Sequence, residues 1–489
     1  MPNKVLIANR GEIAIRIARS LHELDSKAVA VFTEIDRQSL HLRFADEALG
    51  LGEDPRAYLD VERIVDAARR SGADALHPGY GFLSENAELA EACERAGITF
   101  IGPSASAIRA MGSKPRARSL MSAAGVPVVP GGPASSFEEA SATARTVGYP
   151  VMVKATDGGG GKGMRRVESE AELASALERT ASEAEAAFGN RGLYLEKAID
   201  RPRHVEIQIL GDRHGRLVQL FERDCSIQRR HQKVLEETPC AVLPESVLEQ
   251  MSAVALRAAE AIGYYSAGTI EFLLAPNGDF YFLEMNTRLQ VEHPITELVT
   301  GVDLVKEMIR VAFGERLTVE PTRRGAAIEV RLNAEDPRQG FLPSPGRIER
   351  FVMPAGPGVR VDSGVTTGSI VSPYYDPLLA KLVVWAEDRP SAVRRLRRAL
   401  SECVVLGLRT NLDFLRDLAE HPLFFDADYD TGFLGRTPEL GCSPLPADAA
   451  RELAMALATL AAEAPAPTRS TARDAALSPW VSSERARLR

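Results

Sequence analysis

The 489 residues predict an α/β protein in three parts, and three observations carry that expectation. Short apolar runs alternate with amphipathic helical stretches over residues 1–112. Two alternating apolar runs flank an Asn277-Gly278 pair in the middle part, residues 113–330. In the third part, residues 331–446, the strand-like run Leu379–Trp385 precedes a basic amphipathic helix, Ser391–Glu402, a mixed α+β pattern.

In the first part, Val5–Ala8, Ala28–Phe32 and Thr99–Ile101 read as strands, and Ile13–Leu24 and Val61–Ser71 as helices. Strands alternating with helices predict a parallel sheet covered on both faces. The turn Asn9-Arg10-Gly11-Glu12 joins a strand to a helix but is not G-x-G-x-x-G, so it reads as structural and not as a dinucleotide loop. The second part opens on Val126-Pro-Val-Val-Pro-Gly-Gly-Pro133, whose punctuation predicts a hinge. Beyond it, residues 447–489 form an Ala/Pro/Arg-rich tail in which Ala447–Ala462 reads as a helix and the remainder as loosely ordered.

Composition narrows the function. Hydrophobic residues are 45% and charged residues 26% of the chain, the balance of a soluble globular protein. A net charge of −8 argues against nonspecific nucleic-acid binding. The five cysteines have no C-x-x-C spacing, which predicts reduced thiols in a cytoplasmic protein and neither a disulfide frame nor a zinc site. No apolar stretch reaches the ~18 residues of a membrane span, and the apolar run at the N-terminus reads as a buried strand.

Three segments carry chemistry. Val151-Met-Val-Lys154-Ala-Thr-Asp157-Gly158-Gly-Gly-Gly161-Lys162 runs from a strand into a glycine loop, where bare backbone N–H groups and two lysines suit a phosphate. It is not Walker A. In Thr269–Asn286, a two-residue turn at Asn277-Gly278 puts Glu271 directly opposite Glu284. Opposed carboxylates destabilise a sheet unless a cation lies between them, and oxygen ligands favour Mg²⁺ or Mn²⁺. From Glu284 onward, Asn286, Arg288, Gln290 and Glu292 recur at every second residue. An extended chain would spread this row along one face over roughly 30 Å. Arg288 with Gln290 suits a planar oxyanion such as bicarbonate. Arg203–Gln208 and Arg223–Lys233 are dense in hydrogen-bond donors. They suit phosphate and ribose, with a solvated charged face as the plainer reading of the second cluster. His293, before Pro294, reads as structural.

These segments together resemble the biotin carboxylase family of ATP-grasp enzymes. The resemblance also rests on Ala8-Asn-Arg-Gly-Glu-Ile13, His77-Pro-Gly-Tyr80-Gly-Phe-Leu-Ser-Glu-Asn86, Glu222-Arg-Asp-Cys-Ser-Ile-Gln-Arg-Arg-His-Gln-Lys233, Arg331-Leu-Asn-Ala-Glu-Asp336, Phe341-Leu-Pro-Ser-Pro-Gly346 and Tyr374-Tyr-Asp-Pro-Leu-Leu-Ala-Lys381. It departs at Asp157, where the family loop has glycine, and at Lys162, where many members have arginine.

The resemblance implies an N-terminal biotin carboxylase domain at 1–112, an ATP-grasp domain at 113–330 with a mobile lid at about 130–202, and a biotin carboxylase C-terminal domain at 331–446. It implies that ATP phosphorylates bicarbonate to carboxyphosphate, whose CO₂ then adds to the ureido nitrogen of biotin. Lys114, Lys154, Gly160, Gly161, Glu196, Lys197, Ile199, His204, Gln228, His231, Lys233, Glu271 and Leu273 would surround ATP. Glu271, Glu284 and Asn286 would hold Mg²⁺ or Mn²⁺. Arg288, Gln290 and the Val291 backbone would hold bicarbonate, and Glu292 would be the base. Arg331 would stabilise the biotin enolate beside Tyr80, with Lys233 and Arg288 also in the catalytic set.

No Ala-Met-Lys-Met tetrapeptide occurs, so the implied biotin rides on a separate carrier protein, with a carboxyltransferase to complete the reaction and a homodimer as the implied assembly. Acetyl-CoA is the commonest acceptor, and other acyl-CoA thioesters stay open. The competing readings are another ATP-grasp carboxylate–amine ligase and a non-catalytic regulatory subunit.

Overall fold

The computed structural model describes residues 1–156 and 163–441, so the glycine loop and the 447–489 tail lie outside the described residues. Near the N-terminus the expected parallel sheet is present. Its strand order is Glu47–Gly50, Lys27–Phe32, Lys4–Ile7, Ala75–His77 and Thr99–Phe100, every neighbouring pair parallel. Alternate residues enter two different cores. Leu6, Val29, Val31 and Leu76 pack on one side, and Val5, Ile7, Ala28 and Ala75 on the other. Burial of both faces explains why these strands read as unbroken apolar runs.

The helices follow local signals. Gly11–His22 buries Ile13, Ile17 and Leu21, one stripe at i, i+4 spacing. Val61–Ser71 starts where the Asp60 side chain accepts from the N–H of Arg63, and stops where Gly72 takes φ 66°. Asn9, in the turn read as structural, braces a neighbouring loop. Its Nδ2 donates to the carbonyls of Pro78 at 2.7 Å and Tyr80 at 2.8 Å.

The centre is an eight-stranded sheet ordered Phe280–Asn286, Ser266–Leu274, Arg203–Gly211, Leu217–Arg229, Gln232–Thr238, Ala326–Asn333, Leu378–Ala386 and Val359–Ser363. Neighbouring strands in it are antiparallel. The expected boundary at 330/331 falls inside Ala326–Asn333, which pairs with Gln232–Thr238 on one side and Leu378–Ala386 on the other. One sheet therefore underlies the second and third parts of the chain. The expected helix over 391–402 is Arg389–Glu402, capped by Asp388, whose side chain accepts from the N–H of Ser391.

Within 130–202, the strands Gly131–Pro133, Leu193–Lys197, Val151–Ala155 and Met164–Val167 form a separate four-stranded antiparallel sheet. With the helices Phe137–Val147 and Glu170–Phe188, it encloses its own core around Ala140, Ala144, Val151, Val153, Leu173 and Leu195.

The hairpin over 269–286 differs from expectation at its tip. Leu274 pairs with Phe280, and Ala275 bonds to Asp279, so the loop is longer than two residues. The register is one residue short of the expected pairing until Leu283 forms a bulge, after which Glu271 does face Glu284. The sequence pattern does not show the bulge, because both registers keep apolar residues on the inner face.

The inner face of that hairpin meets the core through Phe272, which is fully buried and stacks edge-on against Phe280 with ring centroids 5.5 Å apart. Replacing Phe272 by Ala should cost about 3–5 kcal/mol of stability, read as a lowered denaturant midpoint of the full chain. A loss below about 0.5 kcal/mol, the scale of a surface change, would mean that this contact does not anchor the hairpin.

Candidate active site

A cleft of about 2150 Å³ opens between the central sheet, the four-stranded sheet and the two flanking parts. Every site residue expected from the sequence and described in the structure lines it; Gly160, Gly161, Asp157 and Lys162 lie outside the described residues. At one end, Lys154 Nζ is 2.6 Å from Glu196 Oε2, whose other oxygen is 2.7 Å from Arg118 NH1. Lys197 Nζ donates to the carbonyls of Gly148 and Tyr149 at 3.0 and 2.9 Å. Lys114 begins the helix Lys114–Ala123. Ile199 and Leu273 supply apolar wall, and Gln228 and His204 are buried beside them.

Arg229 pairs with Gln232, so Arg230 and His231 form a tight turn between two sheet strands. Both have positive φ, 49° and 65°, as a two-residue hairpin turn requires. This places the His231 ring at the cleft wall.

In the centre, four side chains stand in file across four strands, Arg223 opposite Glu206, Glu206 opposite Glu271, and Glu271 opposite Glu284. The carboxylates are held by cations that the sheet brings in from elsewhere. Lys233 Nζ lies 2.6 Å from Glu206, 2.9 Å from Glu271 and 2.6 Å from Glu292. His204 Nε2 is 2.9 Å from the other oxygen of Glu271. Arg223, fully buried, donates to Glu206, Gln208, Thr269, Thr296 and Gln290. Residues 223–228 of this donor cluster are buried and are therefore not the solvated face allowed as the plainer reading, whereas Arg230, His231 and Gln232 are exposed.

Burial opposes charge on Lys233, but Cys225, Glu206, Glu271 and Glu292 outweigh it and hold the ammonium above the usual lysine range. Burial would raise Glu271, yet Lys233 and His204 hold it well below the carboxylate range. Burial and the facing Glu271 push Glu284 up. A divalent cation would relieve that repulsion, and the oxygens of Glu271, Glu284 and Asn286 fit one chemically. Among the described residues, two groups of His, Cys and carboxylate side chains bring their ligand atoms within 4.8 Å of one another, His204 with Glu206 and Glu271, and Glu206 with Cys225 and Glu292.

The row from Glu284 to Glu292 does not stay extended. The strand ends at Asn286, the chain bends, and the helix His293–Thr300 begins directly after Glu292. The row therefore converges where spacing alone predicted a spread. Asn286 Nδ2 and Gln290 Nε2 both donate to Glu271 Oε1 at 2.8 Å. Arg288 is held by Glu85 at 2.9 Å and by Asn286 Oδ1 at 2.9 Å. His293 is buried with its Nδ1 2.7 Å from the Gln290 carbonyl, in keeping with a structural residue.

Glu292 joins this cluster to a second one. Its Oε2 is 2.9 Å from Arg331 NH2, and Arg331 Nε is 2.7 Å from Glu236. Burial would raise Glu292, but Lys233, Arg331 and Arg223 hold it far below the usual range, so it is ionised at neutral pH. Tyr80 donates to Glu12 at the edge of the same cleft.

Four supporting residues escaped the sequence reading as individuals. Glu85 holds Arg288, Glu236 holds Arg331, Arg223 holds Gln290, and Lys381 donates to the Val291 carbonyl at 2.9 Å. Glu85, Arg223 and Lys381 occur inside quoted motifs, but their partners lie far away in the chain, and no local spacing names them.

Three family models match the chain in sequence. Residues 1–108 match "Biotin carboxylase, N-terminal domain", 113–320 match "Carbamoyl-phosphate synthase L chain, ATP binding domain", and 329–436 match "Biotin carboxylase C-terminal domain". A biotin carboxylase of Nostoc sp. is 52% identical over 439 residues, 88% of this chain and 98% of the relative. A pyruvate carboxylase subunit of Methanothermobacter thermautotrophicus is 50% identical over 441 residues, 89% of this chain and 90% of the relative. Among solved structures, the biotin carboxylase domain dimer of Hydrogenobacter thermophilus 2-oxoglutarate carboxylase, in complex with MgADP, ADP and bicarbonate, superposes with a TM-score of 0.87. It is 47% identical and covers 90% of this chain and 99% of that one.

The sheet also buries an unusual carboxyl pair beneath the cleft. Glu329 lies directly opposite Glu236, and neither oxygen of Glu329 has a hydrogen-bond partner. Burial pushes Glu329 well above the carboxylate range and Glu236 up to about 7. A raised carboxyl stabilises the fold below its unfolded value near 4.5, and that stability is lost as pH rises toward the folded value. Replacing Glu329 by the neutral isostere Gln should therefore stabilise the chain increasingly with pH, by at most about 1.4 kcal/mol per pH unit. Melting curves between pH 6 and 8.5 would show the gap between variant and wild type widening, and a constant gap would mean that Glu329 ionises freely.

Proposed function

The chain belongs to the biotin carboxylase family, and on that footing we propose that it uses ATP and bicarbonate to carboxylate biotin held on a partner carrier protein. The observation that carries this reading is the position of Glu292. One buried carboxylate touches Lys233 through Oε1 and Arg331 through Oε2, and Arg331 lies across the sheet from Lys381, whose Nζ is 5.8 Å from the Tyr80 ring. A single base thus borders both half-reactions.

Bicarbonate, oriented by Arg288, Gln290 and the Val291 backbone, gives its proton to Glu292. The exposed oxyanion attacks the terminal phosphorus of ATP, ADP departs, and carboxyphosphate forms. Its breakdown releases CO₂ and phosphate beside biotin; the phosphate takes the N–H proton of the ureido group, Arg331 stabilises the enolate-like oxygen that results, and the nitrogen adds to CO₂. When bound at Glu271, Glu284 and Asn286, Mg²⁺ or Mn²⁺ neutralises phosphate charge. Lys114, Lys154, His231 and Lys233 align the nucleotide, because phosphoryl transfer depends mainly on alignment and charge neutralisation.

Lys233 and Arg331 keep Glu292 ionised but weakly basic. Anionic substrates that draw either cation away strengthen the base when bicarbonate is in place. The segment 130–202 closes over the nucleotide as a lid and shields carboxyphosphate from water.

The partners in this reading are a biotin carrier protein and a carboxyltransferase, with the chain itself as a homodimer in the cytoplasm. Among the described residues, no helix is long and apolar enough to cross a membrane. The carboxyltransferase selects the final acceptor. The relatives' names include pyruvate and 2-oxoglutarate carboxylases, so the acceptors to be tested are 2-oxo acids as well as acetyl-CoA and other acyl-CoA thioesters.

Two measurements test the assignment. Glu292→Gln should lower bicarbonate-dependent ADP release by ~10²–10⁴-fold while leaving nucleotide affinity unchanged. Wild-type turnover in that variant would remove Glu292 as the base. Arg331→Ala should lower carboxylation of free biotin by ~10²–10³-fold and affect bicarbonate-dependent ATP cleavage much less. Equal losses in both would take Arg331 out of the biotin step.

A further inference from the structure

Lys381 has no role in the chemistry described so far, yet its ammonium is fully buried where three parts of the chain meet. Its Nζ donates to the carbonyl of Val291 at 2.9 Å, in the turn between Gln290 and Glu292. The same nitrogen lies 3.1 Å from Glu12 Oε1, in the helix Gly11–His22, and 3.8 Å from Asp362. Glu12 accepts the hydroxyl proton of Tyr80, and Lys381 Nζ sits 5.8 Å from the centre of the Tyr80 ring. Backbone packing fixes the same junction. A Cβ on Gly364 would approach the Glu12 nitrogen to 2.8 Å and the Gly11 Cα to 2.9 Å, so the strand end carrying Asp362 is pressed against the start of that helix.

These contacts leave little freedom to the peptide after Val291. Gln290 is fixed by Arg223 and Glu271, Glu292 by Lys233 and Arg331, and the carbonyl between them by Lys381. The carbonyl bond fixes the plane of the peptide, which the side-chain bonds alone do not. Through Glu12, the same ammonium sets the hydroxyl of Tyr80 relative to that peptide.

We propose that Lys381 is a positioning residue for both half-reactions, holding the Gln290–Glu292 turn and Tyr80 in one fixed relation through the Val291 carbonyl and the Glu12 carboxylate. The inference rests on the bicarbonate-dependent activity proposed above. A buried ammonium is costly to remove alone, because Glu12 loses its ion-pair partner, while Asp362 keeps Arg360 at 2.8 Å. The informative variant is therefore the neutral pair Glu12→Gln with Lys381→Met, assayed as the full chain beside Lys381→Arg. Arginine keeps the charge but replaces one compact donor by a planar fork.

The expected result is a split. In the neutral pair, KM for bicarbonate rises by ~10-fold and biotin-stimulated ADP release falls by ~10²-fold, the scale of an ångström misplacement, while KM for ATP stays within about two-fold. Lys381→Arg keeps the wild-type melting temperature and shows the same split at smaller amplitude. A lesion confined to stability would move both KM values together or neither. Wild-type KM for bicarbonate and wild-type biotin stimulation in Lys381→Arg would overturn the proposal, and this variant decides the matter if the neutral pair does not fold. Absence of bicarbonate-dependent ADP release in the wild type would instead overturn the functional reading on which the proposal rests.

Discussion

Lys233 stands between three buried carboxylates, and the geometry of the site follows from how that one ammonium is neutralised. Glu206, Glu271 and Glu292 come from two sheet strands and a turn, and without a shared cation they could not lie so close together. Burying charges is expensive and is repaid only when nearly every lone pair finds a donor. The three carboxylates around Lys233 meet that demand. Glu271 alone takes Lys233, Asn286 and Gln290 on one oxygen and has His204 beside the other. Such saturation holds these carboxylates in place before any ligand arrives.

The central sheet makes this possible because it ignores the divisions seen along the chain. Its strands carry the carboxylate file at one end, Lys233 and Glu236 in the middle, and Arg331, Lys381 and Asp362 further across. Adjacent strands bring residues from positions 206 to 381 into one polar surface, while alternate residues such as Phe272 and Ile270 face an apolar core. The two cations that hold Glu292, Lys233 and Arg331, thus come from neighbouring strands of that sheet.

Much of this was readable from residues alone. The parallel sheet followed from apolar runs with a simple period. Glu271 does face Glu284 as expected, but through a longer loop and the bulge at Leu283 and not through a two-residue Asn-Gly turn. The types of residue from Asn286 to Glu292 pointed to an oxyanion site, and the structure gathers Asn286, Arg288, Gln290 and Glu292 in one cleft. Three-dimensional detail was not readable where it depended on distant partners. The bend after Asn286 gathers a row that spacing would have stretched out, and the roles of Arg223, Glu236 and Lys381 exist only once strands far apart in sequence are paired. A propensity scale has no term for such contacts, since each is decided by the fold as a whole.

The bulge at Leu283 has a consequence for how this site survives divergence. Loop length and ligand spacing are independent quantities in this hairpin, because the register is reset between the tip and Glu284. An insertion or deletion of one residue near Asn277 can be absorbed by forming or losing the bulge, with Glu271 and Glu284 still opposite each other. The tip, largely exposed to solvent, can then vary in length without separating the two carboxylates. The irregularity acts as an evolutionary expansion joint, and the spacing between the two glutamates along the chain is a poor guide to whether they face each other.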